Sequence, residues 1–326
     1  MGDKTGISWT DRTFNPWFGC QRISPACGGS KGEGGCYAEA LVVGRMGYNL
    51  DATVEKKRLR VWGPPATSSR VRTSVANWCK PLAWNREAKK DGVRYRVFCA
   101  SLSDVFEAHP DLDAVRADLW PMVEACDSLD WQLLTKRPEN ILRMVPPAWL
   151  TAWPAHVWIG TTVESQKYAV QRIPHLLAVP ARVRFLSCEP LLEQVDLDPP
   201  MCPTCGGYDE VLADDDATPC CAECGDEMGF NVWLDACADE KQRGISWVIV
   251  GAESGPGARP FDLAWARSIV AQCKAAYVPV FVKQMGDNPV ENGVAIRSRF
   301  KAHHGADPSE WHADLRVQEF PGESEP

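Results

Sequence analysis

The chain has 326 residues, 45% of them hydrophobic and 24% charged, with a formal net charge of -8. That length holds one large α/β domain plus an insertion. No apolar run approaches the ~20 residues of a membrane-spanning helix, and the acidity argues against a generally basic nucleic-acid coat while leaving a nucleic-acid substrate open.

Fourteen cysteines in a chain whose start, Met1-Gly2-Asp3-Lys4-Thr5, lacks an apolar signal core read as metal ligands of a cytoplasmic protein, not as a secreted disulfide framework. In chain order, a strand is expected over Ile7 to Trp9. A glycine- and proline-rich loop with Cys20, Cys27 and Cys36 follows, and a helix begins after Cys36. Three thiolates can hold three irons of a cubane [4Fe–4S] cluster and leave the fourth iron open, whereas a closed structural metal site normally takes four protein ligands. The spacing, Cys-x6-Cys-x8-Cys, is looser than compact ferredoxin-type runs. It leaves two alternatives open, zinc with a distant fourth ligand and unrelated buried cysteines. Lys56-Lys57-Arg58-Leu59-Arg60 is a basic patch able to meet phosphate or to form a solvated face.

Beyond the loop, short apolar β-type runs alternate with longer amphipathic segments, the signature of βα units and a parallel sheet. The runs are Arg96 to Ala100, Trp131 to Leu134, Val157 to Gly160, Val183 to Leu186, Trp247 to Val250 and Val280 to Val282. Helices are predicted over Leu112 to Cys126, Gln166 to Leu177 and Leu263 to Ala276, with Pro174 expected to end or kink the second early. In the third, Trp265, Ile269, Val270 and Cys273 form a core stripe.

Each run ends in polar residues: Ser101 to Asp104, Thr135 to Glu139, Thr161 to Glu164, Ser187 to Pro190, Gly251 to Gly255, and Lys283-Gln284. In parallel α/β folds the loops at the carboxyl ends of the strands build the active site, so six such ends converge on one mouth. Any one alone is equally a helix cap. The pattern predicts an α/β class built on a parallel sheet, formed by residues 1–197 and 245–290.

Residues 198–244 interrupt the pattern. Cys202, Cys205, Cys221 and Cys224 have the Cys-x2-Cys-x15-Cys-x2-Cys spacing of a zinc ribbon, with Cys220 able to replace Cys221. So short an insertion depends on its Zn2+ to fold. Residues 291–326 read as a polar, poorly packed C-terminal extension with one turn anchored by Trp311 and a surface pair, His303-His304.

Several segments together resemble a phage- and bacteria-encoded group of radical S-adenosylmethionine-like proteins with a three-cysteine motif, itself distantly similar to spore photoproduct lyase. They are Ile7 to Asp11, Asn15 to Cys20, Ser24 to Cys27, Cys36 to Glu39, Leu134 to Glu139, Phe185 to Leu192, Val250 to Gly255 and Val282 to Gln284. The likeness runs from about residue 7 to 287. The chain departs from the group in its second cysteine gap, widened by the glycine-rich run Gly28 to Gly35.

The resemblance implies a partial (β/α) TIM-like barrel of the radical S-adenosylmethionine type with a [4Fe–4S] cluster on Cys20, Cys27 and Cys36 and S-adenosylmethionine chelating the open iron. It further implies Tyr37 beside the adenine, Ser103 and Asp104 at the methionine ammonium, Thr162 and Glu164 at the ribose, and Lys136 or Arg137 at the carboxylate or a substrate phosphate. Glu189, Glu253, Ser254 and Lys283 become candidates for holding substrate. Cys188 becomes a candidate hydrogen-atom donor or else a small buried hydrophobe. The expected partners are a nucleic-acid base or nucleotide substrate, an electron donor and a partner protein, in the cytoplasm, or the host cytoplasm if the chain is phage-encoded. Competing readings are a nucleic-acid- or partner-binding protein with structural cluster and zinc, and a zinc-only hydrolase.

Overall fold

The computed structural model describes residues 5–28, 35–47, 60–201, 210–211, 220–221, 229–230, 233–234 and 244–322. Its centre is a seven-stranded, all-parallel sheet in sequential order: β1 (Arg12–Phe14), β2 (Tyr95–Cys99), β3 (Leu129–Thr135), β4 (Val157–Thr162), β5 (Arg184–Cys188), β6 (Trp247–Val250) and β7 (Val280–Val282). The sheet is open between β1 and β7 and curls into a half-barrel. Helices α1 (Lys80–Asp91), α2 (Asp113–Ala125), α3 (Gln166–Leu177) and α4 (Leu263–Ala275) connect the strands.

The period-2 alternation of side chains sorts each strand between two cores. Val97, Cys99, Trp131, Leu133, Val157, Ile159, Leu186, Val248, Val250, Val280 and Val282 belong to the large core shared with the helices. Phe98, Trp158, Phe185, Trp247, Ile249 and Phe281 point the other way and fill the concave side together with Trp9. Trp247 is the hub there, with the rings of Trp9, Trp158, Phe185, Phe281 and Phe320 all within 6.4 Å of it. Burial on both faces explains why these strands read as unbroken apolar runs.

The expected strand at Ile7 to Trp9 is displaced: pairing with β2 begins at Arg12. Trp9 instead plugs the concave floor against Phe98, with ring centroids 4.6 Å apart. Asp11 exchanges bonds with the Arg96 backbone, its carboxylate accepting the amide at 2.8 Å and its own amide donating to the carbonyl at 3.1 Å, which ties the chain to the start of β2. Pro174 does not end α3 early. It lies in the last turn, where its missing N–H costs one bond, and its carbonyl accepts the Ala178 amide at 3.2 Å to close the helix.

The C-terminal extension is packed, contrary to its polar composition. Val282 and Glu319 donate backbone bonds to Val317 and Val280, covering the free edge of β7. Ile296, Phe300, Trp311 and Leu315 enter the large core, and Trp311 Nε1 donates to the Gly305 carbonyl at 2.9 Å. Of the expected zinc ligands, Cys202, Cys205 and Cys224 lie outside the described residues. Cys221 is described only in the backbone of a two-residue strand, Cys220–Cys221, antiparallel to Glu210–Val211.

One inward position on β4 admits only glycine. A Cβ at Gly160 would lie 2.5 Å from the Phe185 ring, which occupies the space. Gly160→Ala is expected to lower unfolding free energy by about 1–3 kcal/mol, the usual cost of overpacking, as read by urea denaturation of the two proteins side by side.

Candidate functional site

The cysteine loop sits over the carboxyl ends of the strands. After β1, Trp17–Phe18 pairs with Val71–Arg72, and Asn15 Oδ1 accepts the Leu102 amide at 2.7 Å, joining this loop to the end of β2. Gly19, at φ +108°, brings the backbone within reach of Val61; a Cβ there would lie 2.4 Å from the Val61 oxygen. Cys20 then bonds through its amide to Val61 and through its carbonyl to the Gly63 amide. Cys27 closes a 3-10 turn, Pro25–Cys27, and Cys36 precedes the short helix Tyr37–Ala40. Phe18, Ala38, Val42, Val61, Trp62 and Leu102 give the loop a small core of its own, against which Cys20 and Cys36 pack.

A buried chain of charges ties this loop to the barrel. Arg70 grips Glu107 with two bonds of 2.7 Å, and their side chains are 0% and 2% exposed. Glu107 Oε1 also accepts the Gln21 amide at 3.0 Å. Arg137 donates to the Gln21 carbonyl at 2.9 Å and to Asp104 Oδ2 at 2.8 Å. The residue after Cys20 is therefore clamped at both of its backbone groups. Arg137 Nη1 lies 3.7 Å from Cys20 Sγ.

Burial pushes the Cys20 thiol up and Glu107 adds to this, while Arg137 acts in the opposite direction. Cys36 is also raised by burial, with the Glu39 amide, Lys136 and the Ala38 amide opposing it. Cys36 acts electrostatically on Cys20, and Cys27 on Cys36, so the three thiols share one neighbourhood. Among the described residues no three His, Cys, Asp or Glu side chains are grouped as a cage for a single metal ion, which would need sulfurs about 2.3 Å from one centre. A cubane spreads its thiolates over separate irons and asks for a wider trio.

The mouth gathers several of the expected residues. Tyr37 is 52% exposed and donates to the Ser101 carbonyl at 2.7 Å. Lys136 Nζ donates to Thr162 Oγ1 at 3.3 Å. Lys283 forms an ion pair with Glu189 across β6. The intervening residue is Gly251, whose Cβ position lies 3.4 Å from Lys283 Cβ and 3.6 Å from Glu189 Cγ.

Other expected residues are held elsewhere. Asp104, expected at an ammonium, is consumed internally: Thr135 Oγ1 and the Phe106 amide reach Oδ1, and the Lys136 amide and Arg137 reach Oδ2. Ser103 donates to the Trp17 carbonyl at 3.1 Å. Glu164 is fully buried and paired with Arg172 at 2.6 Å, while its Oε1 has no protein partner. Glu253 is paired with Arg259, and Ser254 is exposed. Cys188 is fully buried on the helix side of β5, its thiol pushed up to about 12 by desolvation and by Glu164. It faces away from Glu189 and Lys283. A recess of about 530 Å³ opens at the opposite end of the sheet, lined by Arg94, Asp130, Trp158 and Arg182 among others.

The model of a family described as a protein of unknown function, DUF5131, matches residues 4–313. The chain belongs to the DUF5131 family. No curated protein and no solved structure matches it. The clamp formed by Arg70 and Glu107 has no local signature in this family member, the two residues being 37 apart. The one hint is an acid set directly after the apolar pair Val105-Phe106.

Burial raises the Asp104 carboxyl, but Arg137, Thr135 and the two amides outweigh it, so its pKa is lowered. A group depressed in the folded state contributes stability above its unfolded pKa of about 3.9 and loses it as pH falls through the folded value. Urea denaturation across pH 2 to 7 is expected to show a shallower acid-side decline for Asp104→Asn than for the parent. Equal slopes would contradict the assignment.

Proposed function

We propose that this DUF5131 protein is a radical S-adenosylmethionine-type enzyme whose Cys20, Cys27 and Cys36 hold a [4Fe–4S] cluster, acting on a nucleic-acid base or nucleotide. The observation that carries the reading is the loop of three thiols within electrostatic reach of one another at the carboxyl mouth of a parallel half-barrel, with Arg137 Nη1 3.7 Å from Cys20 Sγ and Lys136 acting electrostatically on Cys36. Three thiolates around a cluster would form a net anion, whose charge Arg137 and Lys136 would oppose. When bound, the cluster supplies a low-potential electron for reductive cleavage of a sulfonium.

The chain's own residues then have separable tasks. Lys136, held by Thr162, offers an ammonium to the cofactor carboxylate. The half-exposed ring of Tyr37 offers a flat apolar face. Glu189 and Lys283 present a carboxylate and an ammonium side by side to substrate, and the aromatic floor below them excludes water. The nucleobase assignment rests on the likeness to spore photoproduct lyase-related proteins and on these polar groups. A cytoplasmic setting, an electron-donor partner and a zinc ion on the insertion belong to the same proposal.

Anaerobically purified protein is expected to carry about four irons per chain, and with dithionite and S-adenosylmethionine to yield 5′-deoxyadenosine. Replacing all three cysteines by alanine should abolish both. Iron bound without cofactor cleavage or a cofactor-induced spectral change would instead favour a structural cluster, and zinc without iron would favour the hydrolase reading. Lys136→Met should retain iron and weaken S-adenosylmethionine binding by about 10- to 100-fold, the loss of one charge-assisted bond, measured by equilibrium dialysis.

A further inference from the structure

We infer that Arg137 is the hydrogen-bond donor to the sulfur of Cys20 that sets the reduction potential of the bound cluster, a role that rests on the [4Fe–4S] reading above. The guanidinium is nearly fully buried, 8% exposed at the side chain. Its Nη1 lies 3.7 Å from Cys20 Sγ and 2.8 Å from Asp104 Oδ2, and its Nη2 donates to the Gln21 carbonyl at 2.9 Å. Glu107 Oε1 stands 3.7 Å from the same Nη2. Two acids and one carbonyl thus fix a planar fork whose remaining donor capacity is directed at one cysteine.

That arrangement has an electrical consequence. Adding an electron makes the cluster and its thiolates more negative, and a fixed cation with an N–H on one sulfur stabilises the reduced form more than the oxidised one. Asp104 acts oppositely: its carboxylate tempers the same cation and adds negative charge nearby. Arginine suits this position because one guanidinium reaches sulfur, carboxylate and carbonyl simultaneously, which a lysine ammonium on a flexible stem does not. Arg137 therefore acts through Cys20 as a positioning residue and touches neither cofactor nor substrate.

The test is an EPR-monitored redox titration of the iron-loaded protein and its Arg137→Gln, Arg137→Lys and Asp104→Asn variants, with iron content measured alongside. Arg137→Gln should retain iron and shift the potential negative by about 59 mV, a tenfold fall in the reduced-to-oxidised ratio for one electron. Arg137→Lys should fall between it and the parent, and Asp104→Asn should move the potential positive. A purely structural role would cost iron without opposed shifts. Iron-loaded Arg137→Gln at the parent potential overturns the inference; should that variant lose its iron, Arg137→Lys at the parent potential does so. Parent protein that binds no iron at all overturns the cluster reading itself, which the variants alone do not.

Discussion

The arrangement of the mouth depends on one buried chain of contacts, Arg70 to Glu107 to Gln21 to Arg137 to Asp104. A loop rich in glycine and proline has little reason to hold a fixed shape, since ordering each residue costs about 1–2 kcal/mol in conformational entropy. Here the two backbone groups of Gln21 are gripped by side chains rooted in the body of the fold. Breaking a buried pair by removing one partner typically costs about 3–5 kcal/mol. The same contacts that order the loop therefore couple Cys20 to β2 and β3, and any disturbance of Arg137 is felt at the thiol.

The alternation of side chains on the sheet prepares the surface on which that loop rests. Outward residues join the helices, and inward residues build a floor of aromatic rings around Trp247. Above the floor the inward positions become polar: Lys136, Thr162, Glu189 and Lys283. Glycine is required at one of these inward positions: Gly160 yields to the Phe185 ring. Higher up, Gly251 lies between Glu189 and Lys283, whose ion pair joins β5 to β7.

Much of this is legible in the sequence, for identifiable reasons. β6 and β7 fall on the predicted runs, and α3 and α4 within a residue of the predicted helices, because strands buried on both faces are unbroken apolar stretches and helices with one buried stripe are periodic. The strand end carrying Lys283 follows from those bounds. The position of β1 does not, since Trp9 is as apolar as a strand residue yet serves as a plug. The packing of the C-terminal extension is also hidden, because 3-10 turns and two-residue strands have no period long enough to detect. Least visible is the Arg70–Glu107 pair, whose partners meet only once the whole loop is folded.

Charge type separates structure from exposed chemistry in this site. The acids near the strand ends that pair with arginine are Asp104 with Arg137, Glu107 with Arg70, Glu164 with Arg172 and Glu253 with Arg259. Arg70, Arg137 and Arg172 use their forks to satisfy carboxylate and backbone together, as a buried charge requires, and Arg259 grips both oxygens of Glu253. The two inward strand-end lysines differ. Lys283 shares Glu189 at the mouth, with both side chains about one-fifth exposed, and Lys136 meets a hydroxyl and an electrostatic neighbour in Cys36. An ammonium held this lightly can exchange its partner for a ligand at small cost, whereas a forked arginine cannot leave without stranding a buried acid. Arginines thus lock the frame, lysines face the ligand, and Arg137 alone among these arginines also reaches a thiol of the loop.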